Sequence, residues 1–415
     1  MHMKSIIITL VLAASALAVN AVSPEFDAYL FAYFEGGGEG HLQEHLRFGV
    51  SDGGLNWEAP NNITSEEKAV LLDRWGEKTT DRISYDDKEW GAYLMVFFSD
   101  ATHDLFMATS PDGYTFTAIN DGKPIISGDS IAEQRGIRDP HISRGPDGAF
   151  YLAMTDLHIF AKDEGLRDTQ WERPSEKYGW GNNRGLVLMK SYDLINWTRS
   201  NLRMDKLFPD KFGNIGCAWA PETTYDPKEG KMLIYFTMRI GNGKSKLYYA
   251  YTDDDFTKLV TEPEILFEYP NPEIQVLDAD ITPMPDGRWC MAYAAQDGTS
   301  GIKIATSDNI SGPWQYRDEW VDFEPKACEA PNVWKRIGEN KWVVMYDIFG
   351  ISPHNFGFAE TSDFKSFTNL GRFNEGVMKA INFQSPKHGA IIPITIQEKN
   401  RLEKYWESNK CLINN

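Results

Sequence analysis

The sequence predicts an all-β protein, a five-bladed β-propeller with an N-terminal extension. Short runs rich in aromatic and β-branched residues recur in pairs, roughly 55 to 60 residues apart, as expected of repeated blades. A turn signature built on Asp follows each pair, and Asp beside Gly, Asn or Ser marks turns at strand ends. Helical periodicity of any length is confined to residues 397–406. These features favour four-stranded blades over helical repeats or a doubly wound sheet.

The turn signature places Ser, Thr or Tyr before an Asp and an aromatic residue or Leu after it. It occurs at residues 51–57, 110–116, 191–197, 252–259, 306–314 and 361–367. Each copy follows two β-like runs, so the chain contains six outer strand units. The innermost strands are predicted separately, and they begin at Asp139, Trp219, Asp278, Glu329 and His388.

Six outer units and five inner strands leave one unit surplus. We expect residues 91–120 to complete the blade that His388 begins, so that the two ends of the propeller segment close the ring. Residues 91–415 then form the propeller, and residues 22–90 form an extension that contains an extra strand unit. In the rival arrangement, 27–60 closes the ring and 91–120 is inserted.

The N-terminus predicts export. Residues 1–21 read as a secretory signal peptide, with Lys4, a short apolar run at 6–18 and small residues before the cleavage site. We therefore expect a secreted or periplasmic protein. No later segment is long and apolar enough for a membrane span, and we expect a monomer.

The charge limits the class of partner. A formal net charge of −18 argues against nucleic acid and anionic membrane surfaces, because both select basic faces. A neutral sugar remains compatible with this charge. The 13% aromatic content fits β-rich packing first and sugar stacking second.

Four cysteines, Cys217, Cys290, Cys328 and Cys411, follow no zinc-binding spacing. Export makes disulfides an alternative, since exported proteins meet oxidising conditions. The favoured interpretation is that they are small buried hydrophobic residues.

Three acidic residues stand at the starts of predicted inner strands. Asp139 precedes a proline, which pushes it towards an extended conformation and makes it the first residue of its strand. Asp278 and Glu329 are expected at equivalent points of later blades, so all three carboxylates share one face near the axis. Like charges raise one another's pKa, so such a cluster is either a metal site or acid–base machinery. The loop 157–184, with Trp171, Tyr178 and Trp180, is expected on the same face.

Short motifs recur in a specific order along the propeller: Arg138-Asp-Pro-His, Trp219-Ala-Pro-Glu, Leu277-Asp, Glu329-Ala-Pro and Lys387-His-Gly. Through them, the chain from about residue 91 to 406 resembles family 43 of the glycoside hydrolases, the five-bladed propeller family of xylosidases, arabinofuranosidases and related enzymes. The resemblance implies that Asp139 is the general base, that Asp278 tunes pKa and orientation, and that Glu329 is the general acid. The family inverts anomeric configuration, which fits a base and an acid separated by enough space for a water.

One motif departs from the family pattern. The third-blade acid is usually followed by Pro, whereas here the sequence is Asp278-Ala-Asp280. Asp280 therefore competes for the role, and Asp278 is favoured because Asp280 lies deeper in the strand. Family 32, the fructosidases, shares an Arg-Asp-Pro signature, but this chain lacks its opening Asn-Asp-Pro-Asn motif.

The resemblance also implies neighbours of the three acids. His388 is expected to reach the central channel and help hold a calcium ion, although the chemistry requires no cofactor. Trp219 and Glu222 are expected to line the substrate pocket, and Arg239 to reach a sugar hydroxyl. A hydrogen-bonded structural His, a packing Trp and a salt-bridged Arg are the alternatives for these positions.

The predicted function is that of an exported inverting glycoside hydrolase acting on arabinofuranoside, xyloside or galactoside bonds in plant-type polysaccharides or oligosaccharides. The alternative is a carbohydrate-binding propeller without turnover.

Overall fold

The computed structural model describes residues 29–34, 46–51, 89–325 and 327–413. The chain divides into two compact units, Met1–Arg82 and Ile83–Asn415. In the first unit, β1 (Tyr29–Phe34) and β2 (Leu46–Ser51) form an antiparallel pair. The predicted signal peptide lies outside the described residues.

The second unit contains five β-sheets, each the blade of a propeller. Blade one is β6 (Ile137–Arg144), β7 (Phe150–Asp156), β8 (Gly185–Ser191) and β9 (Thr198–Arg203). Blade two is β10 (Ile215–Asp226), β11 (Lys231–Ile240), β12 (Lys246–Tyr251) and β13 (Glu264–Phe267). Blade three is β14 (Val276–Pro283), β15 (Trp289–Asp297), β16 (Thr299–Ser307) and β17 (Gln315–Tyr316). Blade four is β18 (Glu329–Lys335), β19 (Trp342–Ile348), β20 (Asn355–Thr361) and β21 (Thr368–Arg372).

Blade five closes the ring. It runs from β23 (Lys387–Ile394) through β3 (Ala92–Phe98), β4 (Leu105–Ser110) and β5 (Thr115–Ala118) to β22 (Lys379–Ile381). Strand β23 pairs with β3 in antiparallel register, from Lys387 opposite Phe98 to Ile394 opposite Ala92. The predicted closure is therefore confirmed. The rival, with 27–60 in this place, is wrong because β3 occupies the position beside β23.

Among the described residues, helices are short except at the C-terminus. They are a 3-10 turn at Asn120–Gly122, α1 (Gly128–Ile131), α2 (Ser175–Tyr178), α3 (Met204–Leu207), α4 (Pro209–Phe212) and α5 (Ile396–Ile413). The sequence predicted α5 as a shorter helix over 397–406. Within the described part of the chain, no helix is long and apolar enough to cross a membrane.

Several middle strands of the blades, namely β7, β8 and β19, are buried along their whole length. Each blade packs on two neighbours, so both faces of these strands are apolar. Five hydrophobic clusters fill the spaces between adjacent blades; Leu94 of blade five, for example, lies in one cluster with Leu152 of blade one. Truncating one such leucine to Ala typically costs about 2–5 kcal/mol of stability.

Three of the predicted turns share one hydrogen-bond arrangement, while the copy at 51–57 lies outside the described residues after Ser51. In the turn after β8, Ser191 Oγ accepts the N–H of Leu194 at 2.9 Å, and Asp193 Oδ1 accepts the N–H groups of Ile195 and Asn196. The turns at 110–116 and 361–367 repeat this arrangement. Among the cysteines whose side chains are described, Cys217 and Cys290 are free and buried, and Cys328 is buried.

Every inner strand carries a β-bulge at the same level. The register shifts between Arg138 and His141 in blade one and at the matching point of each other blade. One residue within each bulge has a left-handed backbone: Asp139 (φ 52°), Ala220 (45°), Asp278 (48°), Ala330 (53°) and His388 (27°). A bulge leaves one residue out of the ladder and redirects its side chain. The ring of bulges therefore turns these side chains towards the axis.

The bulges correct two expectations. Asp139 is not the first residue of its strand, because β6 begins at Ile137. Asp139 and Asp278 are both bulge residues, but Glu329 precedes the bulge residue Ala330. The three acids therefore occupy two positions of the repeat, and Glu329 corresponds to Arg138 rather than to Asp139.

Candidate active site

A pocket at the ring of bulges brings most of the predicted site residues together. It is lined by Arg138, Asp139, Leu157, Trp180, Trp219, Leu277, Asp278, Glu329 and His388. Of the residues predicted from sequence, Glu222 and Arg239 are not part of this lining.

Asp139 is held as a carboxylate. Its Oδ2 accepts a hydrogen bond from Thr155 Oγ1 at 2.7 Å, and its Oδ1 lies 3.4 Å from His388 Nδ1. Burial works to raise the pKa of Asp139, but the hydrogen bond and positive charge of His388, the charge of Arg138 and the Thr155 hydroxyl outweigh it and hold the pKa below its ordinary value. Asp139 is therefore ionised across the working range of most enzymes.

The contact between His388 and Asp139 also shifts the pKa of His388. Burial opposes a charged imidazole, but the hydrogen bond and the negative charge of Asp139 raise the pKa of His388 above its ordinary value. The imidazole thus points a donor at Asp139. Its predicted role as a metal ligand stays a prediction.

Arg138 is a site residue that the sequence analysis did not single out, although it begins the Arg138-Asp-Pro-His motif. Its Nη1 donates to Asp100 Oδ1 at 2.6 Å, and its guanidinium lies 4.7 Å from the centre of the Phe98 ring. Arg138 is 8% exposed, so its charge acts on Asp139 with little screening by water.

The pKa of Asp278 shifts upward, in the opposite direction from that of Asp139. Its backbone N–H donates to Thr237 Oγ1 at 2.9 Å. Burial first, and then the charges of Glu329 and Asp139, raise the pKa of Asp278 to about 7, against the lowering effect of His388. An acid in this state gains and loses a proton near neutral pH.

Glu329 is the more protonated partner of Asp139. Its Oε1 lies 3.5 Å from Lys387 Nζ, and the same ammonium lies 3.0 Å from Asp347 Oδ2. Burial raises the pKa of Glu329, Lys387 lowers it and Asp347 raises it again, with a net shift upward. Lys387 and Asp347 are both buried, and sequence reasoning missed both. Lys387 stands directly before His388 in the quoted motif, but Asp347 lies in β19 and carried no signal.

In this pocket the pKa of Asp139 is lowered and the pKa of Glu329 is raised. A low pKa at Asp139 and a raised pKa at Glu329 are what a general base and a general acid require at the same pH.

Trp219 lines the pocket and is fixed by its surroundings. Its Nε1 donates to the carbonyl of Gly181 at 2.9 Å, and the guanidinium of Arg239 lies 4.5 Å from the centre of its ring. Arg239 itself is buried and donates to the carbonyls of Tyr178 and Trp180. In this structure Arg239 supports the 157–184 loop and one aromatic wall of the pocket, while its contact with sugar stays a prediction.

Glu222 and Asp280 lie deeper along the axis. Their carboxylates and the imidazole of His141 offer ligand atoms within 4.8 Å of one another. Asp280 Oδ2 accepts from Asn332 Nδ2 at 2.5 Å and from the N–H of Val333 at 2.8 Å. Asp280 is therefore engaged below the pocket, which leaves Asp278 as the third-blade acid that reaches it.

This deeper cluster fits a cation only in part. The N–H of Thr223 donates to His141 Nδ1 at 3.2 Å, so the proton of the neutral ring lies on Nε2. Burial lowers the pKa of His141 to about 3, which keeps the ring neutral. The oxygens of Glu222 and Asp280 suit a hard cation such as calcium, whereas the protonated Nε2 does not.

Five blades surround a pocket that brings Asp139, Asp278 and Glu329 together, and a family match makes this propeller a glycoside hydrolase. Residues 88–400 match the model of the glycosyl hydrolase 43-related family, described as a probable glycosyl hydrolase domain. The chain belongs to this family.

Individual relatives are more distant. The chain is 27% identical over 182 residues to an alpha-L-arabinofuranosidase of Bifidobacterium longum subsp. longum, a match that covers 40% of this chain and 15% of that protein's length. Among solved structures, the endo-arabinase from Bacteroides thetaiotaomicron is 16% identical, with a TM-score of 0.44, over 74% of this chain and 90% of that one. An exo-beta-1,3-galactanase from Clostridium thermocellum is 14% identical, with a TM-score of 0.41, over 59% of this chain and 48% of that one.

Proposed function

We propose that this protein is an exported glycoside hydrolase that cleaves arabinofuranoside, xyloside or galactoside bonds with inversion. The arrangement that carries the proposal is two carboxyl groups lining one pocket whose pKa values shift in opposite directions, that of Asp139 lowered and that of Glu329 raised. Family membership supports the reaction class, and the relative's arabinofuranosidase description supports the choice of sugars to test.

In the proposed reaction, Asp139 accepts a proton from the water that attacks the anomeric carbon. Glu329 gives its proton to the leaving oxygen as the glycosidic bond breaks. Inversion requires the two carboxyl groups to stand roughly 6.5–9.5 Å apart, so that the water fits between base and sugar. The reaction ends with Asp139 protonated and Glu329 ionised, and proton exchange with solvent restores both.

Asp278 supports these roles electrostatically. Its negative charge, when present, disfavours ionisation of Glu329, and Glu329 disfavours ionisation of Asp278 in return. His388 donates towards Asp139 Oδ1 and Thr155 donates to Oδ2, which orients the base.

The expected calcium ion in the central channel stays part of the proposal. The oxygens of Glu222 and Asp280 would hold it, and it would supply charge neutralisation to two buried carboxylates below the pocket. We also propose a monomer that acts outside the cytoplasm.

A substrate panel tests the proposal. The protein is incubated with aryl arabinofuranosides, xylosides and galactosides, and with arabinan, xylan and pectin, beside Asp139→Asn as the matched inactive control. Sugar release by the wild type alone supports hydrolysis, and the first-formed anomer, followed by NMR, decides between inversion and retention. Binding to these saccharides without release from any of them would favour the alternative, a carbohydrate-binding propeller.

A further inference from the structure

Trp180 is a large aromatic residue that lines the pocket and is also open to solvent. It is 56% exposed, whereas Trp219, its neighbour in the pocket lining, is partly buried. Because this ring lies at the lining of a pocket, a ligand bound there can cover it, and burial of its apolar surface is favourable.

The ring is fixed rather than free. Arg239 donates to the carbonyl oxygens of Trp180 and Tyr178, which ties the backbone of the loop to blade two. The Trp180 ring meets Trp171 at 5.1 Å between centroids with an angle of 59°, and Trp219 at 5.9 Å with an angle of 76°. These edge contacts hold the ring from two sides and reduce the entropy that a ligand would have to remove.

The residues on either side of Trp180 permit this position. Gly179 and Gly181 have φ values of 82° and 60°, which side chains with a Cβ rarely adopt. A Cβ at Gly181 would lie 3.1 Å from the Trp219 ring, and one at Gly179 would lie 2.8 Å from a nitrogen of Arg239. Two glycines therefore let the chain place Trp180 directly above Arg239 and Trp219.

We propose that Trp180 is the binding platform for the sugar unit that adjoins the unit held in the catalytic pocket. Its ligand is a saccharide of at least two units, whose second ring lays its apolar C–H face on the exposed indole. The platform belongs to the 157–184 loop, so selectivity for longer substrates depends on this loop rather than on the carboxylates. This inference rests on the proposed function.

Trp180→Ala is compared with the wild type on two substrates of whichever sugar the panel identifies. One is a di- to tetrasaccharide, and the other is the glycosyl fluoride, which has no second ring. Loss of one stacked aromatic contact should lower kcat/KM on the oligosaccharide by about 10-fold or more and leave the fluoride within about 2-fold. Trp180→Tyr should recover most of the oligosaccharide activity.

Tyr192→Ala is the matched control, because Tyr192 is 55% exposed and lies in the β8–β9 turn, at the other end of blade one from the pocket. It should leave both substrates unchanged. An equal loss on both substrates in Trp180→Ala would overturn the proposal by showing that the ring only supports the loop. Unchanged activity on the oligosaccharide would overturn it as well.

A binding measurement separates this proposal from the proposed function. Calorimetry with di- to tetrasaccharides of arabinose, xylose and galactose, whether or not they are hydrolysed, is done on Asp139→Asn, with and without Trp180→Ala. If no glycoside is hydrolysed by the wild type but the oligosaccharide binds about 10-fold more weakly without Trp180, the proposed function fails and the platform stands. If Trp180→Ala leaves the affinity unchanged, the platform is wrong whatever the activity.

Discussion

Thr155 Oγ1 donates a hydrogen bond to Asp139 Oδ2 at 2.7 Å. The same oxygen accepts the N–H of Ala220, the bulge residue of the next blade, at 2.8 Å. Thr237 Oγ1 accepts the bulge N–H of Asp278 in the same way, and Asp347 Oδ2 accepts that of His388. A bulge removes its N–H from the ladder, and a buried N–H needs a partner. In these three cases, a side chain on the second strand of one blade thus accepts the bulge N–H of the next blade. In blade one the accepting side chain, Thr155, also orients Asp139, the proposed base.

The first prediction concerns this link. Thr155→Val keeps the shape of the side chain and removes both hydrogen bonds. We expect stability to fall by about 1–3 kcal/mol, because the N–H of Ala220 is left buried without a partner. We also expect kcat to fall by about 10-fold or more, since a misplaced base loses much of a contribution that is typically 10²–10⁴-fold.

Thr237→Val is the control for Thr155→Val, because it removes the equivalent inter-blade bond without touching Asp139. Urea unfolding and kinetics are measured on both variants. Similar stability losses with a larger fall in kcat for Thr155→Val are expected. Thr237 Oγ1 also lies 3.5 Å from Asp278 Oδ1, so the decisive outcome is that of Thr155→Val itself: a loss of stability with unchanged kcat would show that Thr155 matters only to the fold.

The second prediction separates acid from base. Glu329→Gln should lose on the order of 10²–10⁴-fold on substrates with poor leaving groups, because it removes a positioned general acid. It should lose much less on aryl glycosides whose leaving group needs little protonation. Asp139→Asn should abolish turnover on both, since water must be activated in either case. An identical response of the two variants to leaving-group ability would contradict the assignment.

The third prediction concerns Lys387. Its ammonium lies 3.5 Å from Glu329 Oε1 and lowers the pKa of this acid. Lys387→Met removes that charge and leaves the negative charge of Asp347 unpaired, and both changes raise the pKa of Glu329. The alkaline limb of the kcat/KM profile, where the acid is lost, should therefore move to higher pH.

Lys387→Met/Asp347→Asn removes both charges, so its alkaline limb should fall between those of the wild type and Lys387→Met. Unpairing a buried charge is destabilising, and the profiles are therefore recorded well below the melting temperature of each variant. A limb that stays in place or moves to lower pH in Lys387→Met would rule out Lys387 as a determinant of Glu329.

The fourth prediction concerns stability below the pocket. Burial raises the pKa of Asp280 to about 7 from an ordinary value of 3.8. Between these values the folded chain binds more protons at Asp280 than the unfolded chain does. The contribution of Asp280 to the free energy of unfolding therefore falls as pH rises from about 4 to 7. With chelator present, Asp280→Asn should remove this contribution, which amounts to a change on the order of 1–4 kcal/mol in the free energy of unfolding across that pH range.

Unfolding is followed by denaturant at pH 4.5, 6 and 7.5 on wild type and Asp280→Asn. A wild-type slope that the substitution leaves unchanged would mean that Asp280 titrates normally in the fold.

The fifth prediction tests the calcium ion. Adding calcium to chelated wild type at pH 7.5 should raise the melting temperature, because the ion neutralises Glu222 and Asp280. Glu222→Gln should lose most of this increase. Glu262→Gln is the control, because Glu262 is exposed and does not belong to the cluster of His141, Glu222 and Asp280, and this variant should retain the increase. An equal response of wild type and Glu222→Gln would exclude this cluster as the calcium site.

The strands, the turns and the closed ring could be predicted from the sequence alone. Those features depend on patterns local to the chain: apolar runs buried on both faces, Asp turns after each outer strand, and the count of inner against outer units. The sequence also identified Asp139, Asp278 and Glu329, because each stands in a short motif at the start of an inner strand.

How these residues meet could not be predicted in the same way, because it depends on the packing of the blades. The bulges displace Glu329 by one position from the other two acids, Asp347 arrives from a neighbouring strand, and Arg239 turns under Trp219 rather than into the pocket. A residue's pKa depends on burial and on charges that lie close in space but far apart in the chain. The chain places Asp139 and Glu329 190 residues apart, and the opposite shifts of their pKa values therefore arise only once the ring has closed.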